Sequence, residues 1–148
     1  MKAIILVGLT GSGKSTFCKK YPKFTRINQD ELGSRQKCIT ALKTAISQKE
    51  NIIIDRTNIN KMQRNHFISI LKEYPEYEIN CIYFDADPEL CVKRVSEREN
   101  HPTITEDFSL DKIKEIVYSF YRSLEEPSIS EGFSMILTIK VKDEESET

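Results

Sequence analysis

The sequence predicts an α/β fold: a mostly parallel sheet of about five strands with helices on both faces. Three observations lead there. Apolar runs of strand length alternate with segments of helical period along the chain. The first run is continuously apolar, as a strand buried on both faces requires. At 148 residues the chain is long enough for one compact core and short for two.

The elements follow in order. "KAIILV" (2–7), closed by Gly8, predicts a buried parallel strand, and "FTRIN" (24–28) a weaker one. Cys38, Ile39, Leu42, Ala45 and Ile46 share one helical face. "NIIID" (51–55) is a third strand that ends in an acid. Phe67, Ile70, Leu71 and Tyr74 mark a second helical face, and "INCIYF" (79–84) a fourth strand. Asp87-Pro88 opens a helix, with Asp as N-cap and Pro in the first turn. Ser109 can cap the next helix, whose stripe runs through Leu110, Ile113, Ile116, Val117, Phe120, Tyr121 and Leu124 before Pro127. In "FSMILTIKV", Phe133, Met135, Leu137, Ile139 and Val141 share one side of a fifth strand, expected at a sheet edge. One domain over 1–141 is expected, followed by a polar, acidic tail at 142–148 that is expected to be disordered.

The bulk numbers exclude some classes. A formal net charge of −1 leaves no global basic field for nonspecific nucleic-acid binding, so any such contact needs a local patch. No apolar run approaches membrane-spanning length, and "MKAIILVG" is too short for a signal peptide, so an intracellular protein is expected. Cys18, Cys38, Cys81 and Cys91 lack metal-ligand spacing, and His66 and His101 are the two histidines, which argues against zinc. The cysteines read as packed, reduced thiols.

"GLTGSGKS" (8–15) carries the chemistry. It matches G-x-x-x-x-G-K-[ST], with a strand before it and a helix after. Its glycines let the backbone of Gly8, Leu9, Thr10, Gly11, Ser12 and Gly13 wrap a phosphate, and the amides through Ser15 and Thr16 aim partial positive charge at the anion. Lys14 is placed for the β- and γ-phosphates of ATP and Ser15 for Mg2+. The expected fold is a P-loop kinase-like three-layer sandwich with a small helical lid.

Two acids sit at strand ends, where α/β sheets bind ligands. Asp55, after "III", is placed as a second Mg2+ ligand, with a turn residue as its plainer reading. Asp30 has two open readings: a base that accepts the proton of an attacking hydroxyl, or the N-cap of the following helix. Arg94 and Arg98 are four apart on one helical face. A lid arginine closing on a transferring phosphoryl group supplies a rate factor of ~10³–10⁵, while their plainer reading is a solvated face with Glu97 and Glu99. Arg64 could reach a substrate phosphate or face solvent. His66 reads as surface or half-buried, and His101 lies before Pro102 in a lid loop.

The segments "VGLTGSGKSTFCKK", "INQDELGSRQKC", "IIIDRTNINKMQRNHF" and "EEPSISEGFSMILTI" together resemble the 5′-hydroxyl polynucleotide kinase family, in particular the kinase domain of the animal polynucleotide kinase 3′-phosphatases. The likeness covers nearly all of residues 2–141. The loop is shared by many kinases and ATPases, while "N-x-D-x-L-G-S-x-Q" and "P-x-x-x-E-G-F-S-x-I-L" are narrower. The resemblance implies an ATP- and Mg2+-dependent kinase of 5′-hydroxyl ends of DNA or RNA, working as a monomer, with Asp30 as general base. Lys14 and Ser15 then take the phosphate and metal roles, Asp55 the second metal role, and Arg98 the lid position, with Arg94 one turn earlier. Arg64, with Thr57 and Asn58, falls at the acceptor site. Three positions depart from the family: Gln29 stands in place of an arginine, Arg56 in place of an asparagine and Arg35 in place of a tryptophan. No acidic D-x-D-x-T/V phosphatase motif is present in these residues, so kinase activity without 3′-phosphatase activity is implied. Two other functions fit the same scaffold: a kinase of a small-molecule hydroxyl (nucleoside, sugar or antibiotic) and a non-catalytic nucleotide-binding switch.

Overall fold

A computed structural model describes residues 1–97 and 110–142. Its sheet has five strands in the order β2-β3-β1-β4-β5: β1 Lys2–Val7, β2 Thr25–Asn28, β3 Ile52–Asp55, β4 Glu78–Asp85 and β5 Met135–Lys140. Every pairing is parallel. The helices are α1 Lys14–Cys18, α2 Gln29–Leu32, α3 Arg35–Ser47, α4 Lys61–Leu71, α5 Pro88–Ser96 and α6 Leu110–Ser123. Ser109, Arg98, His101 and most of the acidic tail lie outside the described residues.

Strand β1 is the centre because its residues are apolar on both sides. Ala3, Ile5 and Val7 face the core under α3 and α4, with Cys38, Leu42, Phe67, Ile68 and Leu71. Ile4 and Leu6 face the opposite layer, where Cys18, Phe17 and Phe24 pack. A third cluster lies beyond the strand ends, where Leu9 and Ile59 meet Cys91, Val92 and Val95 of α5 and Ile113 and Val117 of α6. This cluster anchors α5 and α6 over the loop that follows β1.

Helix starts follow side-chain chemistry. Ser34 accepts from the Lys37 amide, Asn60 from Gln63 and Asp87 from Glu89, each satisfying an otherwise free first-turn N–H. Strand β5 is at an edge and parallel, as expected, but its apolar side is only half used. Ile139 and Val141 pack inward, while Met135 and Leu137 on the same side remain about half exposed, since α1 is too short to cover that end of the sheet. No helix among the described residues is long and apolar enough to cross a membrane.

Candidate active site

The strand order places the site. From β1 the chain moves first to β2 and β3 on one side, then to β4 and β5 on the other, so the direction reverses around the C-terminal end of β1. A cleft of about 400 Å3 opens there, lined by Thr10, Lys14, Asn28, Gln29, Asp30, Asp55, Arg56, Thr57, Gln63, Ile116 and Phe120.

Its floor is the loop after β1. Gly11 and Gly13 have φ of 86° and 107°, in the left-handed region that side chains disfavour. A Cβ on Gly11 would meet the Cys91 carbonyl at 2.8 Å, so α5 packs directly on the loop backbone. The Lys14 ammonium donates to the Gly8 and Leu9 carbonyls, at 2.7 Å each, and is curled over its own loop. Arg94 overhangs it: a Cβ on Gly13 would come within 3.9 Å of Arg94 Nη1, and Nη2 donates to the Lys142 carbonyl at 3.3 Å.

The acids stand on the neighbouring strands. Parallel pairing sets Asn28 of β2 opposite Asp55 of β3. Asp55 is buried, and its Oδ2 accepts from Arg26 Nε at 2.8 Å and Asn28 Nδ2 at 3.1 Å. Arg26 Nη2 also donates to Ser15 Oγ at 3.3 Å, and its Nη1 pairs with Glu31. One guanidinium therefore spans Ser15 and Asp55, the two side chains expected at the metal. Burial pushes the nearby Cys18 thiol up to about 12, with the Asp55 carboxylate as the next contributor.

Asp30 caps neither the helix that follows, α3, whose cap is Ser34, nor the short α2. Asn28 caps α2 and accepts from the Glu31 amide at 3.0 Å. Asp30 sits in the first turn, exposed, lining the cleft, with no hydrogen bond or ion pair among the described residues.

Two acceptor-site expectations need correction. Arg64 faces neither the cleft nor solvent. It is fully buried, its Nε and Nη2 paired with the two oxygens of Glu131 at 2.7 and 3.1 Å, and its Nη1 donating to the Asn58 and Glu125 carbonyls. A guanidinium so enclosed has no face for an outside phosphate. Asn58 is fully buried too, and its Nδ2 donates to the Leu6 carbonyl at the end of β1. It braces the turn after β3, where its own φ is 47°. Thr57 does line the cleft.

Three residues beside the site were not singled out for a role: Arg26, Asn28 and Arg56. Asn28 carried a sequence signal, as the first residue of "N-x-D". Arg26 carried none, because a charged residue in a short strand reads as solvent-facing until the paired strand supplies Asp55. Among the described residues no group of three or more His, Cys, Asp or Glu side chains could hold a metal ion, so a cation here would rest on Asp55, Ser15 and phosphate oxygens.

The parallel sheet and the phosphate loop after its central strand define a nucleotide-binding fold of the P-loop class. A family model described as an AAA domain matches residues 34–123, and the chain belongs to that family. It is 29% identical over 143 residues to a bifunctional polynucleotide phosphatase/kinase of Schizosaccharomyces pombe, covering 94% of this chain and 33% of that one. A putative bifunctional polynucleotide phosphatase/kinase of Acanthamoeba polyphaga mimivirus is 29% identical, with 92% and 32% covered. The Arabidopsis thaliana protein named transcription factor bHLH140 is 28% identical, with 90% and 15% covered. The chain thus spans a third or less of the length of these relatives. Among solved structures, a Janibacter sugar kinase superposes with a TM-score of 0.67 at 15% identity, covering 99% of this chain and 89% of that one, a likeness of fold. A chain of the Pnkp1/Rnl/Hen1 complex superposes with a TM-score of 0.54 at 25% identity, covering 74% and 43%.

Proposed function

We propose that this protein transfers the γ-phosphate of ATP to the 5′-hydroxyl end of a DNA or RNA strand, inside the cell, through one kinase domain over 1–141. The observation that carries this reading is the Asp30 carboxylate, without a partner among the described residues, in the same cleft as Lys14 of the phosphate loop. A nucleotide-binding switch has no use for an acid aimed where an acceptor enters. Two relatives named polynucleotide phosphatase/kinases favour a nucleic-acid end over a small-molecule hydroxyl.

The residues present fit ATP and Mg2+. The backbone from Gly8 to Thr16 forms a cradle with left-handed turns at Gly11 and Gly13, and a Cβ on Gly8 or Gly11 would meet a neighbouring atom at 2.7 or 2.8 Å. A cation, Arg26, already spans Ser15 and Asp55, so the pair suits positive charge. Mg2+, when bound, neutralises charge on the β- and γ-phosphate oxygens. Lys14 supplies its ammonium to those oxygens in place of the carbonyls it now meets. Arg94 above Gly13, with Arg98, supplies charge from the lid side. Asp30 accepts the proton of the 5′-hydroxyl as that oxygen forms its bond to phosphorus and the bond to the leaving diphosphate breaks. Thr57 stands on the acceptor side of the cleft.

The test is transfer of labelled γ-phosphate from ATP to matched 5′-hydroxyl DNA and RNA strands, with an uncharged nucleoside as control. Label on the strands is the expected result. Label on the nucleoside alone would assign the protein to small-molecule kinases, and ATP binding without transfer to any acceptor would assign it to switches.

A further inference from the structure

Among the described residues Arg56 has no counter-ion. It follows Asp55 at the end of β3 and lines the cleft beside Asp30 and Lys14. Its Nε donates to Gln29 Oε1 at 2.6 Å, and its guanidinium lies 5.3 Å from the Phe67 ring centroid. Its Nη1 is buried and makes no hydrogen bond. Among the described residues no carboxylate lies within ion-pair distance of it, whereas Arg26 is paired with Asp55 and Glu31, and Arg64 with Glu131. The field around it is positive. His66 is held below its ordinary range by burial and then by Arg35 and Arg56.

A half-buried guanidinium keeps its charge, and leaving it unpaired is costly. The aromatic face offsets part of that cost, and Gln29 binds Nε without neutralising the charge, as a glutamate there would. What remains is Nη2 of a charged side chain that lines the cleft, hydrogen-bonded to nothing among the described residues and able to donate to a phosphate oxygen. The acid that receives the hydroxyl proton, Asp30, adjoins Gln29 in the chain, so the anion it awaits belongs to the acceptor, near its hydroxyl.

We infer that Arg56, held in place by Gln29, grips the acceptor phosphate nearest the 5′-hydroxyl and thereby selects a nucleotide end over an uncharged alcohol. This rests on the kinase reading and adds the group the acceptor must carry. Gln29 is the positioning residue: it orients the guanidinium and leaves its charge available.

The test is equilibrium binding, without ATP, of two short 5′-hydroxyl DNA strands to the full chain. One is unmodified, and the other carries an uncharged methylphosphonate at the first linkage. The wild type is expected to bind the unmodified strand about ten- to a hundredfold more tightly. Arg56→Gln is expected to weaken binding of the unmodified strand by a similar factor and to bind the two strands alike. Gln29→Glu keeps the acceptor oxygen but adds a negative charge, and it is expected to weaken strand binding. A merely structural Gln29 would tolerate that change or gain from the new ion pair. Equal binding of both strands by the wild type, binding of neither, additive losses from Arg56→Gln and the methylphosphonate when combined, or unweakened binding by Gln29→Glu would each overturn the inference. Because no turnover is involved, the kinase reading stands or falls separately, on label transfer.

Discussion

Arg26 and Asp55 share one oxygen: Arg26 Nη2 lies 2.6 Å from Asp55 Oδ2, and Nε donates to the same atom at 2.8 Å. The same guanidinium reaches Ser15. The cation that neutralises the buried Asp55 thus comes from the protein itself. A metal ion between Ser15 and Asp55 would compete with it for Oδ2.

That competition gives a first prediction. Arg26→Met leaves the Asp55 carboxylate buried without its charged partner, so in the absence of divalent ions the variant should lose about 1–3 kcal/mol. Removing the competitor should also strengthen divalent binding several-fold. Mg2+ should therefore raise the melting temperature of Arg26→Met more than that of the wild type, by linkage. Equal Mg2+ effects on both proteins would show that Arg26 and the ion do not share a site.

Asp30 differs from Asp55 in having no partner among the described residues, and its test separates binding from chemistry. Asp30→Asn keeps the shape and removes the basic oxygen. Transfer to a 5′-hydroxyl strand should fall by about 10²–10⁴-fold, the range for a positioned base. ATP affinity, read by displacement of a fluorescent ATP analogue, should stay within about twofold, since the phosphate loop is untouched. Near-normal transfer would remove Asp30 from the mechanism.

The contrast between these acids shows what was legible in the sequence. The loop, the strand-end acids and the alternating elements are local patterns, and a local pattern survives in one dimension. The cap reading of Asp30 was local too, but the short helix α2 was not expected, and the structure gives its cap to Asn28 and that of α3 to Ser34. The fate of Arg64 is nonlocal. Its partner Glu131 lies 67 positions away, and no spacing rule joins them. The link between Arg56 and Gln29 is nonlocal too: it depends on β2 lying against β3, which brings positions 27 apart within hydrogen-bond reach.

The cysteines give a pH prediction. Burial holds the thiols of Cys18 and Cys81 well above the ordinary 9, to about 12. The folded protein then keeps these protons where the unfolded chain releases them. The stability from both groups is fully present below pH 9 and is lost as pH rises from 9 toward 12. Urea midpoints should fall over that window, and Cys81→Ala should flatten the fall while lowering the midpoint at neutral pH. A fall equally steep in that variant would assign the loss to other groups. Tyr83, also pushed up to about 12, chiefly by burial, contributes in the same direction.

Arg64 gives the last prediction, and it separates a brace from a ligand contact. Arg64 ties α4 to Glu131, whose Oε2 also accepts from the Ser128 amide, and to the carbonyls of Asn58 and Glu125. Asn58 in turn holds the end of β1 just below the phosphate loop. Arg64→Ala strands a carboxylate that is 7% exposed, together with two carbonyls. The expected loss is about 3–5 kcal/mol in urea unfolding, the usual cost of breaking a buried pair. The double change Arg64→Met with Glu131→Leu should recover part of it, because no charge is then left buried. At temperatures where the variants stay folded, KM for a 5′-hydroxyl strand should change less than twofold. A large rise in KM with stability intact would instead return Arg64 to the acceptor site, and would require its buried side chain to swing out past Glu131 when the strand binds.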